Sequence, residues 1–261
     1  MAKFLNCLSG VVEDNFDKEE GIRYKDIKHK IKPLDLLVFR GGEVVSTAIR
    51  YLEQLKVGNG DWSHVGLVIN TELLPTIPNG KKNHLYILES AMSGNMNDGV
   101  FTTDGKTILG VQVRDLEDVI NGYYKMKNTL VGWCKLKNNP YEQKPDESFD
   151  DYEIRFEQLQ GDFKNIYNEY GTKFYDANPL SLIASLFPMF RCLRNKWNNN
   201  IGIGKNWLFC SELVGLVYGK LGIIDLEELD PQDMVPVDFT SGLDKDGLIP
   251  FHKLPPIILL P

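Results

Sequence analysis

Three apolar runs of strand length, residues 34–39, 62–69 and 85–90, succeed one another between turn-forming segments and limit the architectures open to this chain. The first follows Pro33 and stops at Arg40-Gly41-Gly42, the pattern of a buried strand entering a turn. The second, Trp62-Ser63-His64-Val65-Gly66-Leu67-Val68-Ile69, is β-branched and starts after the turn Gly58-Asn59-Gly60-Asp61. The third, Leu85-Tyr86-Ile87-Leu88-Glu89-Ser90, follows a loop containing Pro75, Pro78 and Asn79-Gly80. Residues 110–114 and 129–136 read as further strands. Helical spacing appears twice around them. Val45, Ile49, Leu52 and Leu55 mark a helix over 44–56, and Leu213, Val214, Val217 and Leu221 mark another from Cys210 onward. The expected class is α+β: an antiparallel sheet packed against the helix that begins at Cys210.

The remainder fits one domain over 1–261, with a variable insertion around 138–170 and an extended C-terminal tail. Residues 13–32 are dense in Asp, Glu and Lys and read as a solvated lead-in, with His29 of no functional weight. Asp115 is placed to cap a short helix to Ile120, and a helix is expected from Phe149. Pro250, Pro255 and Pro256 suggest a tail lying along the surface. A net charge of −7 argues against nucleic acid as a partner. Four cysteines, widely spaced and without a CxxC pair, suggest neither a disulfide framework nor a zinc site, so a reducing, cytoplasmic setting is expected, with no cofactor and no metal. No run reaches the roughly 20 residues that span a bilayer. The apolar segment 180–190, followed by Arg191, Arg194 and Lys196, reads first as core and second as a peripheral membrane contact.

Chemistry enters with Cys210. A thiol at the first turn of a helix meets unpaired N–H groups and the positive end of the helix dipole, which favour thiolate over thiol. A buried cysteine is commonly inert packing, as expected of Cys134, so the choice depends on finding a base. His64 stands at the start of its strand, with Gly66 two residues on leaving room on the same face. Glu89 ends an otherwise apolar strand. Burying a lone carboxylate is costly, so it calls for a partner, and an imidazole on the adjacent strand is the natural one. Cysteine, histidine and carboxylate together make the arrangement in which the imidazole takes the thiol proton, the carboxylate fixes the useful tautomer and the thiolate attacks a carbonyl.

Asp35-Leu36-Leu37-Val38-Phe39-Arg40-Gly41, Trp62-Ser63-His64-Val65-Gly66-Leu67-Val68, Leu88-Glu89-Ser90 and Phe209-Cys210-Ser211-Glu212-Leu213-Val214 resemble the circularly permuted branch of the NlpC-type papain-like superfamily, the YiiX/YaeF-like proteins with poxviral relatives. Residues 171–176 and 235–239 are similar to pieces of the same family. The resemblance implies a permuted papain-like fold with Cys210 as nucleophile, His64 as base and Glu89 as orienting residue, in the permuted order His, Glu, Cys. It also implies a thiol hydrolase acting on an amide or ester, with a small-molecule, peptide or lipid acyl substrate. The poxviral relatives would place such a chain in host cytoplasm or a virion. Leu208-Phe209-Cys210-Ser211-Glu212 departs from the Asn-Cys-Glu-His-Phe motif of the lecithin:retinol acyltransferase-like members, which makes lipid deacylation or acyl transfer the second reading. A non-catalytic binding or structural protein is the third. Oligomeric state is not legible.

Overall fold

In this computed structural model the residues described are 21–42, 46, 49–51, 61–91, 110–175, 207–240 and 256–261. They form β1 (Ile22–Arg23), α1 (Tyr24–Ile27), β2 (Leu36–Arg40), β3 (His64–Asn70), β4 (Leu85–Ala91), β5 (Gly110–Asp115), α2 (Leu116–Lys125), β6 (Leu130–Cys134) and α3 (Phe149–Tyr170). After these come β7 (Phe174–Tyr175), β8 (Trp207–Leu208), α4 (Cys210–Lys220), two 3-10 turns (Pro231–Asp233 and Pro236–Phe239) and β9 (Ile257–Leu260). Of the helix expected over 44–56, Ser46 and residues 49–51 are described and helical; the rest of it, residues 92–109 and segment 180–190 lie outside the described residues.

The chain is mixed α+β. Among the described residues, seven strands form one sheet in the order β1-β9-β6-β2-β3-β4-β5, antiparallel throughout except for the parallel β1/β9 pair. Strand alternation gives the sheet two apolar faces. Val65, Leu67, Ile69, Leu88, Val111 and Val113 pack against Leu213, Val214 and Val217 of α4 and Leu159, Phe163 and Ile166 of α3. Leu37, Phe39, Val68 and Ile87 point the other way, onto Leu116, Val119 and Ile120 of α2. Each fully buried aliphatic side chain contributes about 1.5–3 kcal/mol, so covering both faces is what holds the layers together.

Local signals account for the helix ends. Asp115 caps α2, its carboxylate accepting from the N–H groups of Glu117 and Asp118, and Ser148 caps α3 by accepting from Asp151 N–H. Gly222, at φ +68°, ends α4 in a Schellman arrangement: Ile223 N–H donates to Tyr218 O at 2.8 Å and Gly222 N–H to Gly219 O at 3.0 Å.

Three expectations change. The small residues Ser211, Gly215 and Gly219, whose four-residue spacing suggests a close approach of α4 to the sheet, instead face the segment that follows the helix. A Cβ on Gly215 would lie 2.6 Å from Met234 Sδ, and one on Gly219 would lie 2.2 Å from Leu226 Cδ2. Residues 21–32 are not a solvated lead-in, because Tyr24, Ile27 and Ile31 recur at three- and four-residue spacing and bury against Leu37 and Trp133. The tail does not simply run along the surface. Ile257-Ile258-Leu259-Leu260 is a strand-forming run, and it pairs with β6 through Trp133 and Gly132 and with β1 through Ile22 and Arg23. Pro255 and Pro256 precede that ladder, so no strand hydrogen bond is lost to them.

Just before β2, Asp35 has no exposed surface and gathers distant segments. Its Oδ2 accepts from Lys32 N–H and from Trp133 Nε1–H, both at 2.9 Å, and its Oδ1 accepts from Leu136 N–H at 3.0 Å and Asn139 Nδ2–H at 3.3 Å. Burial raises its pKa to about 6 against the lowering effect of those four bonds. Nearby, Tyr218 Oη donates to Leu34 O at 2.6 Å and ties α4 to the start of β2.

Candidate active site

Cys210 is the first residue of α4, and Phe209 at its N-cap has no side-chain acceptor to compete for the first-turn amides. The Glu212 carboxylate instead accepts from Phe209 N–H at 3.5 Å. Ser211 Oγ donates to Met234 O at 2.6 Å, which holds this turn against the 3-10 segment beyond it. Leu213 and Val214 anchor the helix in the first face of the core, and Cys210 is a buried free thiol.

His64 opens β3, opposite Phe39 of β2, whose ring lies 5.4 Å from the imidazole centroid to centroid. From that strand end the ring reaches in two directions. Its Nε2 is 2.6 Å from Glu89 Oε2, and a side-chain hydrogen bond joins the ring to Cys210, which leaves Nδ1 for the sulfur. Glu89 projects from β4 on the Ile87 side, where Gly66 permits close approach. A Cβ on Gly66 would lie 2.4 Å from Ile87 Cδ1 and 3.3 Å from Glu89 Cβ. The three residues singled out in the sequence, from two strands and a helix, are therefore brought into one hydrogen-bonded line. His84 is not part of it: half-buried, it bonds Asp115 at 2.6 Å.

One member of the cluster was not read from the sequence. Arg114, the fifth residue of β5, donates from Nε to Glu89 Oε1 at 2.5 Å, with the guanidinium side chain 3% exposed and the carboxylate 0%. Its signal was available in the alternation of Gly110-Val111-Gln112-Val113-Arg114, which places a cation on the polar-bearing face of a buried strand. Gln112 lies on that same face directly opposite Glu89, buried, with both side-chain amide atoms lacking a hydrogen-bond partner.

The electrostatics follow from this packing. Burial works against a charged imidazole, but the Cys210 sulfur and the Glu89 carboxylate outweigh it, so the His64 pKa is raised above its ordinary 6.5. For Glu89, burial would raise the carboxyl, yet Arg114 and then His64 hold it well below the usual carboxylate range. The ring therefore keeps its proton at neutral pH, flanked by sulfur on one side and an ionised carboxylate on the other. Among the described residues no group of three His, Cys, Asp or Glu side chains is arranged to hold a metal ion, and no helix is long and apolar enough to cross a membrane. A shallow cleft between α2, β6 and β9, lined by Ile120, Tyr123, Thr129, Leu130 and Leu259, includes none of the residues of this cluster. No family model matches the chain, and no curated protein matches it in sequence.

Proposed function

We propose that this chain is a thiol-dependent hydrolase of the permuted NlpC-type papain-like kind, cleaving an amide of a peptide or aminoacyl group, or an ester, through an acyl-enzyme on Cys210. The observation that carries the reading is the continuous line from the Cys210 thiol through His64 to Glu89, with the His64 to Glu89 bond at 2.6 Å.

At rest the thiol proton sits on His64 Nδ1, and in the first half-reaction the Cys210 thiolate bonds the acyl carbon. The carbonyl oxygen takes up the negative charge, and the Cys210 N–H at the open helix start is oriented to stabilise it. The tetrahedral species collapses, the bond from carbon to the leaving nitrogen or oxygen breaks, and the His64 proton goes to that atom. In the second, water attacks the thioester, giving its proton to His64; the tetrahedral species collapses with sulfur leaving as thiolate, the acid product departs, and the paired thiolate and imidazolium are restored. Glu89 holds Nε2–H and so keeps Nδ1 turned to the sulfur through both halves.

The second reading, lipid deacylation, is motivated by segment 180–190, outside the described residues, and the hydrolase reading does not depend on it. The test is the rate of Cys210 alkylation against pH, read by mass spectrometry. The native chain should react at a rate nearly constant from pH 6 to 8. His64→Ala should lower the rate at pH 7 by about tenfold or more and restore the rise toward pH 8.5 of an ordinary thiol. An unchanged profile in His64→Ala would sink the catalytic reading and favour a binding protein.

A further inference from the structure

We propose that Arg114 is a positioning residue of this site: its guanidinium pins Oε1 of Glu89, so that Oε2 alone is presented to His64, and it supplies the second positive charge of a buried, electrically balanced cluster. This rests on the hydrolase reading and adds a fourth member to it.

Three observations carry the inference. The contact is geometrically strict, with Nε 2.5 Å from Oε1 while Oε2 is 2.6 Å from His64, so each carboxylate oxygen has its own cationic partner. A carboxylate gripped at one oxygen by a planar guanidinium cannot turn about its terminal bond without breaking that contact. The cluster is also dry. Glu89 is 0% exposed and Arg114 3%, so neither charge is compensated by solvent. Finally, the charges balance only with Arg114 counted. Once the thiol proton sits on His64, sulfur and Glu89 contribute two negative charges, and His64 and Arg114 two positive ones. Without Arg114 the same buried state carries a net negative charge, which favours a proton returning to sulfur or settling on Glu89.

The groups facing Glu89 come from every neighbour. His64 reaches it from β3 and Arg114 from β5, Cys210 of α4 acts through His64, and α2 brings Leu116, Val119, Ile120 and Tyr123 to that face. Gln112 lies beside Glu89 but makes no hydrogen bond to it. Arg114 and His64 are the charged groups that act most strongly on the carboxylate.

The experiment compares Cys210 alkylation profiles for Arg114→Met, Arg114→Lys, Glu89→Gln and the Glu89→Gln/Arg114→Met pair, with the fold of each checked by circular dichroism. Arg114→Met should lower reactivity at pH 6 by on the order of ten- to a hundredfold and move the acid limb of the profile upward. Arg114→Lys, with charge but no planar fork, should recover part of the rate. In the double variant both charges leave together, so folding is retained even where Arg114→Met alone does not fold, and its profile should coincide with that of Glu89→Gln. If folded Arg114→Met has the native profile, or if the double variant is about tenfold slower than Glu89→Gln, Arg114 acts elsewhere and the inference is overturned. Failure of the hydrolase reading is recognised separately, because His64→Ala would then leave the native profile unchanged.

Discussion

Asp35 and Glu89 are both carboxylates with no exposed surface, one just before β2 and the other on β4, and they are satisfied in opposite ways. Asp35 is surrounded by neutral donors: two backbone amides, an indole and a side-chain amide. Glu89 lies between two cations, one of which, His64, has the Cys210 thiol as its second partner. Neutral donors fix geometry but have no proton to exchange, and burial then dominates and raises the Asp35 pKa to about 6. Charged partners do the reverse for Glu89, keeping it ionised and able to stabilise an imidazolium. A buried acid thus marks architecture or chemistry according to what surrounds it, and this molecule contains one of each.

Mutation separates the two most sharply. Glu89→Ala removes the carboxylate that pairs with the buried Arg114, so it should cost about 3–5 kcal/mol of unfolding free energy in urea denaturation and also depress Cys210 alkylation. Asp35→Asn turns one acceptor oxygen into a donor facing existing donors. The expected cost is about 1–3 kcal/mol, with the alkylation profile of the folded fraction unchanged. Loss of thiol reactivity in folded Asp35→Asn would erase the distinction.

Acidity gives the second contrast, with opposite signs. Glu89 is depressed below its ordinary 4.5, so its contribution is complete above that value and is lost as pH falls toward about 2. Asp35 is raised above 3.8, so its contribution is complete below that value and lost as pH rises through about 6. Denaturation midpoints against pH should show Asp35→Asn without the decline between about 4 and 6, and Glu89→Gln with a weakened loss below about 4. The smallest effect concerns Gln112, the buried neighbour that neither pattern includes. Because both its amide atoms lack partners, Gln112→Leu should be neutral or stabilising by up to about 1 kcal/mol by thermal melting. A loss of more than that would mean the amide has a partner in solution.

Much of this was legible in the sequence where one element sufficed. The apolar runs at 34–39, 62–69 and 85–90 are β2, β3 and β4 to within two residues, and the cap at Asp115 and the glycine end of α4 rest on chemistry local to a few residues. The pairing of His64 with Glu89 could be reasoned because a buried carboxylate needs a partner. What escaped depends on register between segments far apart in the chain. Arg114 meets Glu89 only because β5 pairs with β4 so that Gln112 lies opposite Glu89 and Ile87 opposite Arg114. The place of α3 depends likewise on Leu159, Phe163 and Ile166 finding α4, which its acidic composition concealed. Prolines before residue 257 concealed β9 in the same way.

That last strand also sets the order of assembly at the ribosome. Strands β2 to β6 are contiguous in the sheet and emerge early, whereas β9, which occupies the far side of β6, is translated only after α3 and α4. Until then the nascent chain presents Trp133 and the β6 backbone as an open edge, the kind of surface that captures another chain. The protein is therefore most exposed to misassembly in the interval between the emergence of β6 and that of β9.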